Sequence, residues 1–71
     1  MLSKETIELI VNDCMAKFAR ENDGSNGWSK EDILNAVLLN GGEQKDVYAA
    51  MALGMEKCFG EPVLPARTLL N

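Results

Sequence analysis

The side chains able to carry chemistry in this chain of 71 residues are two cysteines, Cys14 and Cys58, and a scatter of carboxylates, with no histidine at all. Nucleophilic catalysis needs a thiol or hydroxyl beside a base, and acid–base catalysis through carboxylates needs a pair of them in one cleft. Histidine, the commonest base, is missing. Glu5, Glu8 and Asp13 belong to a face that reads as solvated, and Glu31 and Asp32 are accounted for by the positive end of a helix. A tetrahedral zinc site cannot be assembled from two cysteines so far apart without histidine ligands.

The cluster Glu21-Asn22-Asp23-Gly24-Ser25-Asn26-Gly27 invites comparison with a calcium-binding loop, in which oxygen ligands alternate around a glycine and a bidentate glutamate closes the site. The register fails. With Gly27 at the sixth loop position, Gly24 falls at the third and Ile33 at the twelfth, so two ligands are missing, and no calcium site is expected between Asn22 and Asp32. Gly41-Gly42 lacks the Lys-Ser/Thr that would follow in a phosphate-binding loop. The chain is therefore expected to be no enzyme and to need no metal or cofactor.

The elements that would position any site are helices. Ser3 is a good N-cap, Glu5 suits the positive helix end, and Leu2 can staple against Ile7. Ile7, Ile10, Val11, Cys14, Met15 and Phe18 recur at the three-and-four spacing of one helical stripe, opposite Glu5, Glu8, Asn12, Asp13 and Lys17, while Leu9 falls outside it. This predicts a helix over about residues 4–20. The polar cluster that follows is a loop. Trp28 is expected to close one end of the core, and Ser29 to cap a second helix beginning Lys30-Glu31-Asp32. In that helix, about 30–40, Ile33, Leu34, Val37 and Leu38 are expected inside and Leu39 on the outer flank. Gly41 ends it in the left-handed conformation that glycine adopts freely.

A third helix, about 43–59, is stopped by Gly60 and Pro62. Its wheel assigns Val47, Met51, Gly54, Met55 and Cys58 to an inner face bordered by Tyr48 and Phe59. Ala49, Ala52 and Leu53 fall on the far side among Lys45, Asp46 and Glu56. Ala50 and Gly54 form a smooth ridge that lets another helix approach closely. The remaining segment changes character: Pro62 and Pro65 impose an extended start, and Val63, Leu64, Leu69 and Leu70 are too aliphatic for a free tail. The expected architecture is all-α, a three-helix domain over residues 1–60 with a proline-containing arm over 61–71 that packs on the domain or on a partner subunit.

Composition bounds the function. A chain this short has little core to spare, and oligomerisation is the supplement that remains once metal and disulfide are set aside. Both thiols are expected to be reduced, as small buried hydrophobes. The first residues lack a basic n-region and an unbroken apolar stretch, and no run approaches the roughly 20 apolar residues that span a bilayer, so a cytoplasmic protein without a membrane partner is expected. Seven basic residues against eleven acidic ones leave a net charge of −4. The lysines and arginines stand singly, so no stripe exists to neutralise phosphates.

Two readings follow. The first is an acidic protein–protein interaction module, an adaptor, inhibitor or regulatory subunit that forms a homodimer and binds a further protein target. Its interface would comprise Ala49, Ala52 and Leu53 with the arm residues Val63, Leu64, Leu69 and Leu70. The second is a helix-turn-helix regulator that reads DNA with Gln44, Lys45 and Tyr48. The double glycine in the turn, the outward alanines and the sign of the charge count against it.

Overall fold

Ser3, at the head of the first helix, has extended backbone (φ −70°, ψ 158°), and its hydroxyl accepts from the Thr6 backbone N–H at 3.1 Å. One of the N–H groups that a helix start leaves without a partner is thereby satisfied. The computed structural model describes residues 1–59 of the chain and consists there of three α-helices: α1 over Lys4–Glu21, α2 over Lys30–Leu39 and α3 over Gln44–Phe59. No strand occurs among the described residues, so the domain is all-α. The arm over 61–71 lies outside the described residues.

Helix ends follow local chemistry. Beyond α1, Asp23 (φ 55°) and Gly24 (φ 82°) turn left-handed, and the Gly24 N–H donates back to the Ala19 carbonyl at 2.7 Å. At the end of α2, Gly41 takes φ 79° while the Gly41 N–H reaches Leu38 O at 3.0 Å and the Gly42 N–H reaches Val37 O at 2.9 Å. These are the paired bonds of a glycine-terminated helix, and they reverse the chain into α3 within a few residues. Ser29 does precede α2 with extended backbone, but its side chain makes no capping bond. The expected serine cap is thus positional only. The start of α3 uses a different device: Asp46, in the third helical position, accepts from the Glu43 backbone N–H at 2.9 Å, the backward half of a capping box.

The core is built from Ile7, Ile10, Val11 and Cys14 of α1, Ile33 and Val37 of α2, and Val47 and Ala50 of α3. Val11, Ile33 and Val37 are fully enclosed, and each such aliphatic side chain contributes roughly 1.5–3 kcal/mol by leaving water. The α1 stripe is the one its spacing requires, with Met15 and Phe18 half-buried at its margin.

The other two helices depart from their wheels. Leu38 was expected inside and is 55 % exposed, because α2 meets its neighbours along Ile33 and Val37, and Leu38 stands one residue, about 100°, further round. On α3 the buried line is Val47, Ala50 and Gly54, whereas Met55 is 37 % exposed. The reason is Trp28. Its indole lies so close over Gly54 that a Cβ there would come within 2.6 Å of Trp28 Cε2. The smooth ridge is therefore used within the domain, to seat the tryptophan that closes one end of the core. The loop is held to the same end by Asn26, whose side-chain amide donates to the Cys58 carbonyl at 3.2 Å.

Candidate protein-interaction surface

Among the described residues the two cysteines and the charged side chains occupy separate places. Cys14 is buried between α1 and α2, and burial, followed by the nearby Asp32 and Asp13 charges, pushes its thiol above the usual range. A thiol that resists ionisation is a poor nucleophile. Cys58 is half-buried, and both cysteines are free. Above Cys14 the Lys17 ammonium donates to Asp32 Oδ1 at 2.9 Å, joining α1 to α2, and this bond raises the lysine pKa. Lys57 sits 4.0 Å from Glu8 in a looser pair between α3 and α1. Exposed pairs of this kind contribute little to stability and set no site. Among the described residues no group of three or more acidic, cysteine or histidine side chains is placed to hold a metal ion.

Among the described residues Asp46 is the buried charge. The α3 wheel put it with the far-side polar residues, yet it is 2 % exposed. Its carboxylate accepts from the Glu43 backbone and is also drawn down by the Leu2 backbone and the amino terminus, all of which hold its pKa below the ordinary carboxylate value. The amino terminus in turn lies 3.6 Å from Glu43. Asp46 thereby ties the first residues of the chain to the start of α3.

That tie shapes a groove of about 450 Å³ between the start of α1 and one flank of α3, with Leu2, Ile7, Ala49 and Leu53 on its apolar wall and Lys4 and Lys45 among the residues around it. The groove changes the reading of the far side of α3. Leu53 does not stand on an uncovered surface: it is half-buried and packs against the core next to α1. Ala49 and Ala52 are exposed, as expected. Val63, Leu64, Leu69 and Leu70 lie outside the described residues.

The exposed apolar surface of α3 lies on the opposite flank. Ala49 and Leu53 line the groove beside α1, and helix spacing puts Tyr48, Met51, Met55 and Phe59 on the other side of Val47 and Gly54. The same reasoning applies to α2. Asn35, Ala36 and Leu39 share a groove with Asp13, Cys14 and Lys17 of α1, and helix spacing puts Leu34 and Leu38 on the other side of Ile33 and Val37. Tyr48, 62 % exposed, and Phe59, 68 % exposed, lie with Met55 on that flank of α3, and Leu38 of α2 is 55 % exposed.

Gln44, Lys45 and Tyr48, the candidate DNA readers, are all exposed at the start of α3. Tyr48 stands four residues beyond Gln44 and three beyond Lys45, so the three are neighbours on one face of α3. Among the described residues no helix is long and apolar enough to cross a membrane. No protein-family model matches the chain, and no curated protein and no solved structure matches it.

Proposed function

We propose that this protein is a small protein–protein interaction module that associates with itself through the seam between α2 and α3. The observation that supports the reading is the run of exposed Leu38, Tyr48, Met55 and Phe59 along two packed helices, next to half-buried Leu34 and Met51. Singly exposed apolar residues are ordinary, but a contiguous apolar strip on so small a domain is the kind of surface that a partner covers. A second copy is the occupant chosen, because a two-fold interface uses each of these residues twice and so gains most from a short strip. An adaptor or inhibitor role would follow from the same surface engaging another protein in place of the second copy.

Sedimentation or light scattering tests the reading. The wild type is expected as a dimer at micromolar concentration, and Leu38→Glu or Tyr48→Glu as a monomer of unchanged helix content. Loss of about 3 kcal/mol over two symmetric contacts corresponds to roughly a hundredfold weaker association. Because each copy carries a charge of −4, added salt should tighten the dimer, the reverse of its effect on a nucleic-acid contact. A wild type that remains monomeric at high micromolar concentration defeats the reading.

A further inference from the structure

We propose that Asn26 is a site of spontaneous covalent modification, in which its side-chain amide is converted to an aspartate or isoaspartate and the loop between α1 and α2 is released from the end of α3. The inference does not rest on self-association.

The chemistry starts from a dipeptide that occurs twice, Asn26-Gly27 and Asn40-Gly41. A backbone nitrogen that has given up its proton to hydroxide can attack the side-chain carbonyl carbon of the asparagine before it. The new N–Cγ bond closes a five-membered imide, the Cγ–Nδ2 bond breaks, and ammonia leaves with a proton taken back from water. Water then opens the ring. Cleavage at Cγ leaves aspartate, and cleavage at the main-chain carbonyl leaves isoaspartate, with the backbone running through the former side chain. Nothing is oxidised or reduced. Glycine in second place favours the attack, because no Cβ obstructs it and its backbone turns freely.

The structure separates the two copies. Asn40 closes α2: its amide donates to the Ala36 carbonyl at 2.7 Å, and the Gly41 N–H, whose nitrogen would be the nucleophile, donates to Leu38 O at 3.0 Å. Both bonds must break before the attack. Asn26 is exposed and its amide makes one bond, to Cys58 O at 3.2 Å, while among the described residues the Gly27 N–H has no backbone partner. Asn12 and Asn35 lie inside helices, where the next N–H is held in the ladder, and Asn22 is followed by the bulkier Asp23. Among the described asparagines, Asn26 is the one that the fold leaves open to attack.

The consequence follows from the same bond. A carboxylate at position 26 has no proton to donate, so it meets the Cys58 carbonyl as acceptor against acceptor, and the tie from the loop to α3 is lost. Isoaspartate also lengthens the backbone next to Gly27, which fits so closely on the Phe18 ring that a Cβ there would come within 2.8 Å of Phe18 Cε1. Trp28 follows directly, with its indole seated on Gly54, so either product loosens that end of the core. Because ammonia is lost, the loop passes one way, from a pinned form to a released one.

Ageing of the full chain at mildly alkaline pH, followed by peptide mass mapping and enzymatic methyl-labelling of isoaspartate, tests the site. Asn26 is expected to convert about fivefold faster than Asn40, the factor set by one further hydrogen bond of about 1 kcal/mol, and the two rates should converge in denaturant. Equal or faster conversion of native Asn40 overturns the proposal, as does a native Asn26 that stays intact while the denatured chain reacts. Asn26→Gln, which keeps an amide but would have to close a six-membered ring, should remove the modification at that position, and its persistence there would also overturn the assignment. Asn26→Asp should reproduce the Trp28 emission of the aged protein at unchanged helix content. Emission identical to that of the unaged wild type would overturn the release of the loop from α3.

Discussion

Replacing Gly54 with alanine sets two effects of known size against each other. Within a helix, alanine is preferred to glycine by about 0.8–1.0 kcal/mol, so a free-standing α3 would gain. In the folded domain the new Cβ would lie 2.6 Å from Trp28 Cε2 and 3.0 Å from Trp28 Cδ1, where carbon atoms favour a separation of about 3.5–4.0 Å. The indole is rigid and has to move as a unit, and overpacking of this kind costs about 1–3 kcal/mol. The net expectation is a loss of about 1 kcal/mol, which lowers Tm by about 4–8 °C in a chain of this size. Thermal unfolding followed by circular dichroism gives the number, and emission from Trp28, the only tryptophan, reports whether its surroundings change. The same glycine replacement in a Trp28→Phe background should be neutral or stabilising, because the smaller ring leaves room for the methyl. A Tm at or above the wild-type value in the Trp28 background, with unaltered emission, would refute the packing argument for Gly54.

Other expectations follow from single residues. Asp46 has a folded pKa below its unfolded one, so its stabilisation is complete above the ordinary carboxylate range and is lost as pH falls through the folded value; Asp46→Asn should flatten the acid limb of the stability profile, and superimposable profiles would contradict the assignment. Ser3→Ala removes the cap of α1 and should cost about 1 kcal/mol by chemical denaturation, while an unchanged midpoint would mean that the Thr6 N–H is satisfied equally well by water. In the native protein Cys14 should resist thiol reagents and Cys58 should react first, with both titrating in denaturant; rapid native labelling of Cys14 would show that α1 and α2 open easily. Calcium titration should give no heat, and micromolar binding would mean that the Asn22–Gly27 loop supplies ligands its register does not suggest.

Much of the local structure was legible in the residues themselves. The stripe from Ile7 to Phe18, the serine before α1 and the glycine after α2 are signals carried by neighbours in sequence, and their physics is local: side-chain oxygens meet nearby N–H groups, and glycine alone enters φ 79° without strain. All three helices stand within a residue of where spacing and capping place them. The facing of α2 and α3 was a different matter. A helix wheel ranks sides by polarity but does not know where its neighbours stand. On α3 two flanks were almost equally apolar, one carrying Ala49 and Leu53 and the other Tyr48, Met55 and Phe59. What decided between them was a contact across 26 residues of chain, the Trp28 indole seated on Gly54, together with the bond from Asp46 to the Glu43 backbone that buries an acid the wheel had assigned to solvent. Capping and periodicity are set by residues a turn apart, and the sequence by itself determines them. Which flank of a helix stays open is set by packing between residues far apart in the chain, and only the tertiary structure decides it.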